Sequence, residues 1–377
     1  MRIVMFSRFP ADVDQPKGGV ESATVGLVRG LSAEPGLELH VVTLERKLDR
    51  AAIEESPFAT IHRLPGNRRP MILDVFGGPG RRLIDDYIVG LKPDIVHFQE
   101  SYGLGGPYSD IPTVFTVHGF DSLNLVTERK YAWRLRAPLW KIAEKKGIRK
   151  HENIVSIAPY VTEKLVEESN AEITEIPNAI SPEFFSVQNK PVPGRIFFAG
   201  WINSRKNVIA AIRATNKLLQ QGLDVSLHIA GDVADQNYAD RVTQLLNDLD
   251  LQSSVRMLGR IGHQELRREL TEACVFVLPS LQENAPMAIA EAMAAGVPVV
   301  TSNVCGMPTM VADGKAGFLI EPNDIGFIAE KLGAILQDAD LRSEMSRYVR
   351  NQAYETYHPD SVVSATLALY KKVIDEK

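Results

Sequence analysis

Short apolar runs alternate with longer stretches of helical period along this chain, and the scheme is told twice. In the first half the apolar runs fall at 3–7, 39–44, 95–98, 114–118, 154–157 and 174–176. Helical patterns such as 20–31 and 132–149 separate many of them. The second half repeats the arrangement at 196–199, 225–230, 255–258, 275–278, 297–301 and 318–320. Short β-branched runs between helices predict parallel sheets built from βαβ units. The stretch 178–194 holds Pro182, Pro191 and Pro193 with little periodicity and reads as a linker. The pattern predicts an α/β protein of two Rossmann-like, doubly wound parallel-sheet domains facing across a cleft. They divide as 1–180 and 181–357, with a last helix at about 358–377 packing back on the first. Ligands of such folds sit at the carboxyl ends of the strands.

The segment 279–298, PSLQENAPMAIAEAMAAGVP, concentrates the candidate chemistry. A strand at 274–278 enters a polar loop at 280–284. A helix follows, with Asn284 as its predicted N-cap and Pro286 in its first turn. Gly296 stops that helix and Pro298 opens the next strand. Glu283 and Glu291 stand on either side of the loop–helix junction. A helix N-terminus at the carboxyl end of a strand offers free N–H groups and a positive dipole end to an anion. Carboxylates beside it do not bind anions, but they accept hydrogen bonds from sugar hydroxyls. The pairing points to a ligand with phosphate at one end and polyol at the other, as in a nucleotide sugar.

Composition narrows the class. The 377 residues suffice for two ordinary domains, and 45% hydrophobic with 24% charged residues is typical of globular folds. A net charge of −5 gives no global field toward nucleic acid. Cys274 and Cys305 lie in or beside apolar stretches and read as buried thiols, not as a disulfide or metal frame. The opening MRIVMF enters a strand pattern directly, without a signal-peptide core, and no apolar run is long enough to span a bilayer. The expectation is a cytoplasmic enzyme.

Four further motifs carry two readings each. Gly18-Gly19 precede a helix after the first strand, as a flexible turn or as a close backbone approach to a phosphate. His118 ends a strand, as a structural hydrogen-bonder or as a ligand-facing group; of the other histidines only His97 has a similar context. Gly200 ends the first strand of the second half, and Arg205-Lys206-Asn207 precede a helix. Cations there are slightly disfavoured by the dipole unless an anion binds. Gly259-Arg260-Ile261 follow another strand, as a common turn or as a backbone cradle for a base.

The triplets Asp12/Asp14, Asp248/Asp250 and Asp338/Asp340 read as solvated surface, and no His/Cys/carboxylate cluster has metal spacing. The stretch 128–150 holds nine Lys/Arg against two Glu, with Tyr131, Trp133 and Trp140 interleaved. It is either an ordinary solvated helix face or a surface for anionic lipid, and Pro138 is expected to break it in two.

In order along the chain come Gly18-Gly19, the run Ile176-Pro177-Asn178-Ala179-Ile180 followed by Phe184 or Phe185, Gly200 through Lys206, and Ile229-Ala230-Gly231. Then follow 255–259, Pro279-Ser280, the Glu283-x7-Glu291 pair, the run 291–298, and Gly314 with Gly317-Phe318-Leu319. In this order the motifs resemble the retaining family-four glycosyltransferases of the GT-B fold, over essentially the whole chain.

The resemblance implies that Glu291 holds the donor ribose and that Glu283 faces the transferred sugar. Backbone amides near Asn284 to Met287, a segment that includes Ala285 and Pro286, with Gly19 across the cleft, would cradle the sugar and diphosphate. Arg205 and Lys206 would neutralise the leaving group, and His118 would lie by the sugar. It also implies retention and no metal or other cofactor beyond the nucleotide-sugar substrate. The chain departs from the family at Trp201, where Arg is usual, at Asn207 after Lys206, and at Cys305-Gly306-Met307-Pro308, where many members carry Gly-Gly and then Glu.

The implied reaction is transfer of a sugar from a nucleotide-diphosphate sugar to a carbohydrate or lipid-linked hydroxyl, in polysaccharide, lipopolysaccharide or glycolipid synthesis. No nucleic acid partner is expected, and 128–150 could give peripheral contact with the inner membrane face. A nucleotide-sugar epimerase on the same plan and a non-catalytic two-lobed sugar-binding protein are the alternatives.

Overall fold

A computed structural model describes residues 1–45, 48–66, 75, 78–99 and 105–377. The chain forms two compact units, one of Met1–Ala179 with Pro359–Lys377 and the other of Ile180–His358.

The first unit is built on eight strands: β1 (Arg2–Phe6), β2 (Glu38–Glu45), β3 (Ala52–Glu55), β4 (Thr60–Pro65), β5 (Ile95–Gln99), β6 (Thr113–Val117), β7 (Asn153–Ser156) and β8 (Glu172–Glu175). Their order is β3-β4-β2-β1-β5-β6-β7-β8. Neighbours run parallel except for the antiparallel edge pair β3 and β4. The central strands β1, β5 and β6 are buried nearly throughout, as their unbroken apolar runs require. The apolar pattern missed β3 and β4. In β4 the buried polar residues His62 and Arg63 interrupt the run. They are tolerated because each is paired. Arg63 Nε donates to Glu54 at 3.0 Å and its other nitrogens reach the carbonyls of Phe9 and Pro10. His62 lies between His40 and Tyr87.

The helix Gly19–Ser32 connects β1 to β2 and packs against the terminal helix Pro359–Asp375. Val362, Val363, Leu369, Tyr370 and Val373 of the terminal helix belong to the same buried cluster as Val25, Val28 and Leu31. Gly30 permits the close approach, since a Cβ there would lie 2.6 Å from Val363 Cγ2.

The helix Trp133–Ile148 runs through Pro138 without the expected break. The amide that proline lacks would have met the carbonyl of Arg134, an exposed residue whose backbone water can serve. This helix turns Leu135, Leu139 and Ile142 to solvent, at 73%, 50% and 57% exposure, with Tyr131 ahead of them at 92%. Exposed Arg134, Arg136 and Lys141 flank that apolar stripe. Among the described residues, no helix is long and apolar enough to cross a membrane.

The second unit holds β9 (Arg195–Ala199), β10 (Ser226–Ala230), β11 (Val255–Gly259), β12 (Val275–Leu278), β13 (Val299–Ser302) and β14 (Gly317–Ile320). The order β11-β10-β9-β12-β13-β14 is parallel throughout. The chain steps outward from β9 to β11, then returns beside β9 as β12 and steps out the other way. That reversal opens a crevice at the carboxyl ends of β9 and β12.

The stretch expected to be a linker is ordered into this unit. Ile180 and Phe184 are fully buried, and Pro182–Phe185 forms a short helix. The Asn189 amide donates to the carbonyls of Leu270, Thr271 and Ala273. Prolines had masked a segment held by buried aromatic and polar anchors. Cys274 is buried, whereas Cys305 is only partly so; both are free.

Candidate active site

The polypeptide leaves β9 at Gly200 and folds back over the end of β12. Asn203 shapes the turn, its Oδ1 accepting from the Lys206 amide at 3.0 Å. Asn207 takes a left-handed conformation that starts the helix Val208–Gln220, and its side chain donates to the Pro322 carbonyl. The Leu281 amide donates to the Arg205 carbonyl at 2.8 Å, tying this turn to the loop after β12.

Arg205 and Lys206 then converge on one oxygen. Glu283 Oε1 accepts from Arg205 Nη1 at 2.6 Å and from Lys206 Nζ at 2.7 Å. Arg205 Nη1 also donates to the Gln282 carbonyl at 3.1 Å. Glu283 and Lys206 are both buried. Burial alone would push the Glu283 carboxyl up. The Lys206 ammonium and then the Arg205 guanidinium outweigh it and hold the carboxyl below its usual range. One carboxylate between two cations leaves the trio with a net positive charge at the switch point of the sheet, suited to an incoming anion.

The helix Met287–Ala294 starts beside this trio, and its N-cap is Pro286 rather than Asn284. Proline offers no side-chain acceptor, so the first-turn amides are not capped from that position. The backbone at Asn284 is instead pressed against the loop after β13. The Gly306 amide donates to the Glu283 carbonyl at 2.9 Å, and a Cβ at Gly306 would fall 1.6 Å from the Asn284 oxygen. The departure from the family pattern at Cys305-Gly306 therefore retains a glycine where the two loops touch. Glu291 lies in the second turn of the helix, buried, and burial raises its carboxyl to about 7.

Arg260 and Ile261 follow β11, two strands from β9. Arg260 Nε lies 3.8 Å from Asp232, which follows β10.

In the first unit, Gly18 is the N-cap of the helix that begins at Gly19, the next element after β1. Glu21 reaches back to accept from the Lys17 amide at 2.7 Å, fixing that loop. His118 follows β6 and is half-buried, with Nε2 2.5 Å from Gln99 Oε1. Desolvation lowers its imidazole to about 4. A cavity of about 20 Å³ lies beside it, lined by His97, Gln99, Thr116, Pro177 and Asn178 among others.

The structure thus gathers Gly200, Arg205, Lys206, Glu283 and Asn284 at one crevice of the second unit. Gly18, Gly19 and His118 sit at strand ends of the first. The sequence reading assigned no role to Gln99, Asn203 and Gln282, and named Gly306 only as part of a departure from the family pattern. Gln99 left a trace as the polar residue closing an apolar run two positions after His97.

Two of the Asp-x-Asp triplets serve local structure. Asp12 accepts from the Asp14 amide, Asp14 pairs with Arg29, and Asp338 caps the helix Ala339–Tyr357. Among the described residues, no group of three or more His, Cys, Asp or Glu is placed to hold a metal.

Comparison with known proteins agrees with this architecture. Residues 17–184 match the family model Glycosyltransferase Family 4, and residues 181–352 match Glycosyl transferases group 1. With both halves matched in order, the chain belongs to the glycosyltransferases of the two-domain GT-B type, resembling family four. It is 26% identical to the glycogen synthase of Mycobacterium tuberculosis over 293 residues, 74% of this chain and 69% of that one. It is 34% identical to the amylovoran biosynthesis glycosyltransferase AmsK of Erwinia amylovora over 169 residues, 42% of this chain and 39% of the relative's own length. Among solved structures, sucrose-phosphate synthase from Thermosynechococcus elongatus matches over 100% of both chains with a TM-score of 0.84 at 18% identity, a likeness of fold.

Proposed function

We propose that this glycosyltransferase moves a sugar from a nucleotide-diphosphate sugar to an acceptor hydroxyl, with retention at the anomeric carbon and without a metal ion. The observation that carries the reading is the convergence of Arg205 and Lys206 on Glu283 at the switch point between β9 and β12. Two cations and an uncapped helix start form an anion site, and Glu291 supplies an acceptor for ribose hydroxyls.

In this mechanism the bond from C1 to the diphosphate oxygen breaks, and the electron pair leaves with the phosphate. Arg205, Lys206 and the first-turn amides near Met287 stabilise that charge, which grows only as the transition state is reached. The acceptor oxygen attacks C1 from the face the diphosphate is leaving, and its proton passes to a phosphate oxygen. As the cations turn to the diphosphate, Glu283 is released toward the hydroxyls of the sugar. Gly200, Asn284, Ala285 and Pro286 shape the donor pocket, and Arg260 and Ile261 border the base. The first unit is the acceptor side, with Gly18, Gly19 and His118 as its candidate site residues.

The names of the relatives, a glycogen synthase and an amylovoran biosynthesis glycosyltransferase, favour a growing polysaccharide as acceptor. The exposed apolar stripe of Trp133–Ile148, rimmed by cations, favours peripheral contact with an anionic bilayer.

The deciding experiment incubates the protein with a panel of nucleotide sugars and sugar acceptors in the presence of chelator. Release of nucleoside diphosphate with a product of unchanged anomeric configuration is expected. An inverted product would overturn the same-face mechanism, and formation of a new nucleotide sugar would replace the transferase reading by an epimerase.

A further inference from the structure

Two adjacent residues of the first unit carry nitrogen atoms that the fold buries without partners. His151 is 2% exposed, yet neither of its ring nitrogens has a hydrogen-bond partner. The Nζ of Lys150 beside it is covered and has none either. Buried polar atoms are nearly all satisfied in folded proteins, so orphans that cluster point to a ligand.

The surroundings say where it sits. Side chains alternate between the two faces of the sheet along β5 and β6. His97 and Thr116 bond to each other, and His97 bonds to Tyr370 of the terminal helix, so Phe98 and Phe115 turn to the opposite face. There the His151 ring stacks on Phe115 with centroids 4.6 Å apart and meets Phe98 at 5.6 Å. Arg81 stands in the first turn of the helix Pro79–Gly90. Its Nε donates to Asp85 at 3.3 Å and its Nη2 to the Gly106 carbonyl at 3.1 Å, which leaves further N–H groups for another acceptor. Asp85 is already engaged, since it also accepts from the Gly106 amide and the Tyr108 hydroxyl.

Charge decides between an anion and a water molecule. Burial, then Arg81 and Lys146, lower the Lys150 ammonium to about 8, with Asp85 opposing them. Lys150 therefore still carries its charge at pH 7. Burial, then Lys150 and Arg81, bring His151 down to about 3, so its ring is neutral and keeps one N–H to give. The cations of Lys150, Arg81 and Lys146 outnumber the one carboxylate that acts among them. A water molecule could complete hydrogen bonds here but would not offset that charge, and a buried charge is costly unless paired.

We propose that Lys150, His151 and Arg81 form a binding site for a phosphate group, on the face of the first sheet opposite the terminal helix. Lys150 supplies a point charge, Arg81 the remaining N–H groups of its fork, and His151 one neutral donor, a set that matches the several oxygens of a phosphate. The site lies wholly in the first unit and does not draw on the proposed donor contacts of the second. The exposed stripe of Leu135, Leu139 and Ile142 runs on at helical spacing to Lys146, so the phosphate can be that of a soluble ion or of a lipid headgroup.

The test titrates inorganic phosphate into the full chain labelled with ¹⁵N-histidine. Chloride holds the ionic strength constant, and the His151 signals are identified by their loss in His151→Phe. A saturable shift of the His151 signals is expected. No shift, or one that only follows ionic strength, overturns the proposal without recourse to any binding variant. Lys150→Met should weaken phosphate by about tenfold to a hundredfold, the size of a hydrogen bond to a charged group. An unchanged affinity in that variant overturns the assignment. Lys206→Ala should leave the titration unaltered, and loss of the His151 response there would mean that the phosphate binds in the second unit instead. A short-chain phosphatidic acid below its micelle concentration separates the two sources. Tighter binding than inorganic phosphate assigns a headgroup, and equal or weaker binding assigns a soluble ion.

Discussion

At the residue scale, the centre of the candidate site is an oxygen atom shared by two cations. Arg205 and Lys206 stand far from Glu283 in the sequence. Each reaches Glu283 because the Asn203 turn folds one strand end over another. The residue types and their places after strands were legible in the sequence, but their meeting was not, because no periodicity encodes a turn that crosses between strands.

Lys206→Ala should lower turnover about a hundredfold, as removal of a well-aimed charge-stabilising donor does, while leaving donor affinity much less affected. Steady-state kinetics together with donor titration check it, and normal turnover would take Lys206 out of the leaving-group role.

Glu291 gives a stability prediction with a definite sign. Its folded carboxyl is raised to about 7, above the usual carboxylate value, so the folded state holds a proton that the unfolded state has released. That contribution is complete below about pH 4.5 and is lost as pH rises through about 7. Glu291→Gln keeps the shape and removes the titration. Its stability relative to the wild type should therefore rise between about pH 5 and 8, by as much as about 3 kcal/mol. Urea midpoints of the ligand-free proteins across that range test this, and parallel curves would contradict it.

At the scale of elements, apolar runs located the central strands because those strands are buried on both faces. They failed at β4, where ion-paired Arg63 and doubly bonded His62 occupy positions that patterning reserves for apolar side chains. They failed again at 182–185, where prolines signalled a linker but Phe184 is buried. The Asn284 cap was misplaced because Pro286, not the polar residue, ends the loop.

The contact between the loops after β12 and β13 was invisible in sequence, and it yields a sharp expectation. Gly306→Ala would place a methyl 1.6 Å from the Asn284 oxygen, so the two loops must part. A loss of about 1–3 kcal/mol is typical of overpacking of this kind. Donor binding should suffer more than that, because Glu283 and Asn284 move with their loop. Melting and donor titration of the variant measure both, and wild-type behaviour in each would mean the loops do not touch as described.

The helix Trp133–Ile148 makes a separate prediction. Exchanging Leu135 and Ile142 for serine removes two exposed apolar side chains and should leave the melting temperature nearly unchanged. Co-sedimentation with anionic vesicles should fall several-fold, and wild-type binding that ignores salt would count against an electrostatic component.

At the scale of the whole molecule, each unit has its own sheet and its own core, and the proposed donor contacts lie in the second. Ligand binding stabilises only the part that binds it. A saturating nucleoside diphosphate, at about a hundred times its dissociation constant, should add roughly 2.7 kcal/mol to that unit. In a scanning calorimeter, one transition should move and the other should stay. Equal movement of both would mean the units unfold as a single cooperative body.

The terminal helix has a practical corollary for anyone wishing to recombine this enzyme with its relatives. Its seventeen residues belong to the first unit, although they are synthesised after the second. A hybrid joined once, near residue 180, would dress one parent's opening half in the other parent's tail, with foreign side chains pressed against Gly30 and Leu31. Exchange of the first unit by grafting therefore requires two seams, the second just after His358, so that both of its segments travel together.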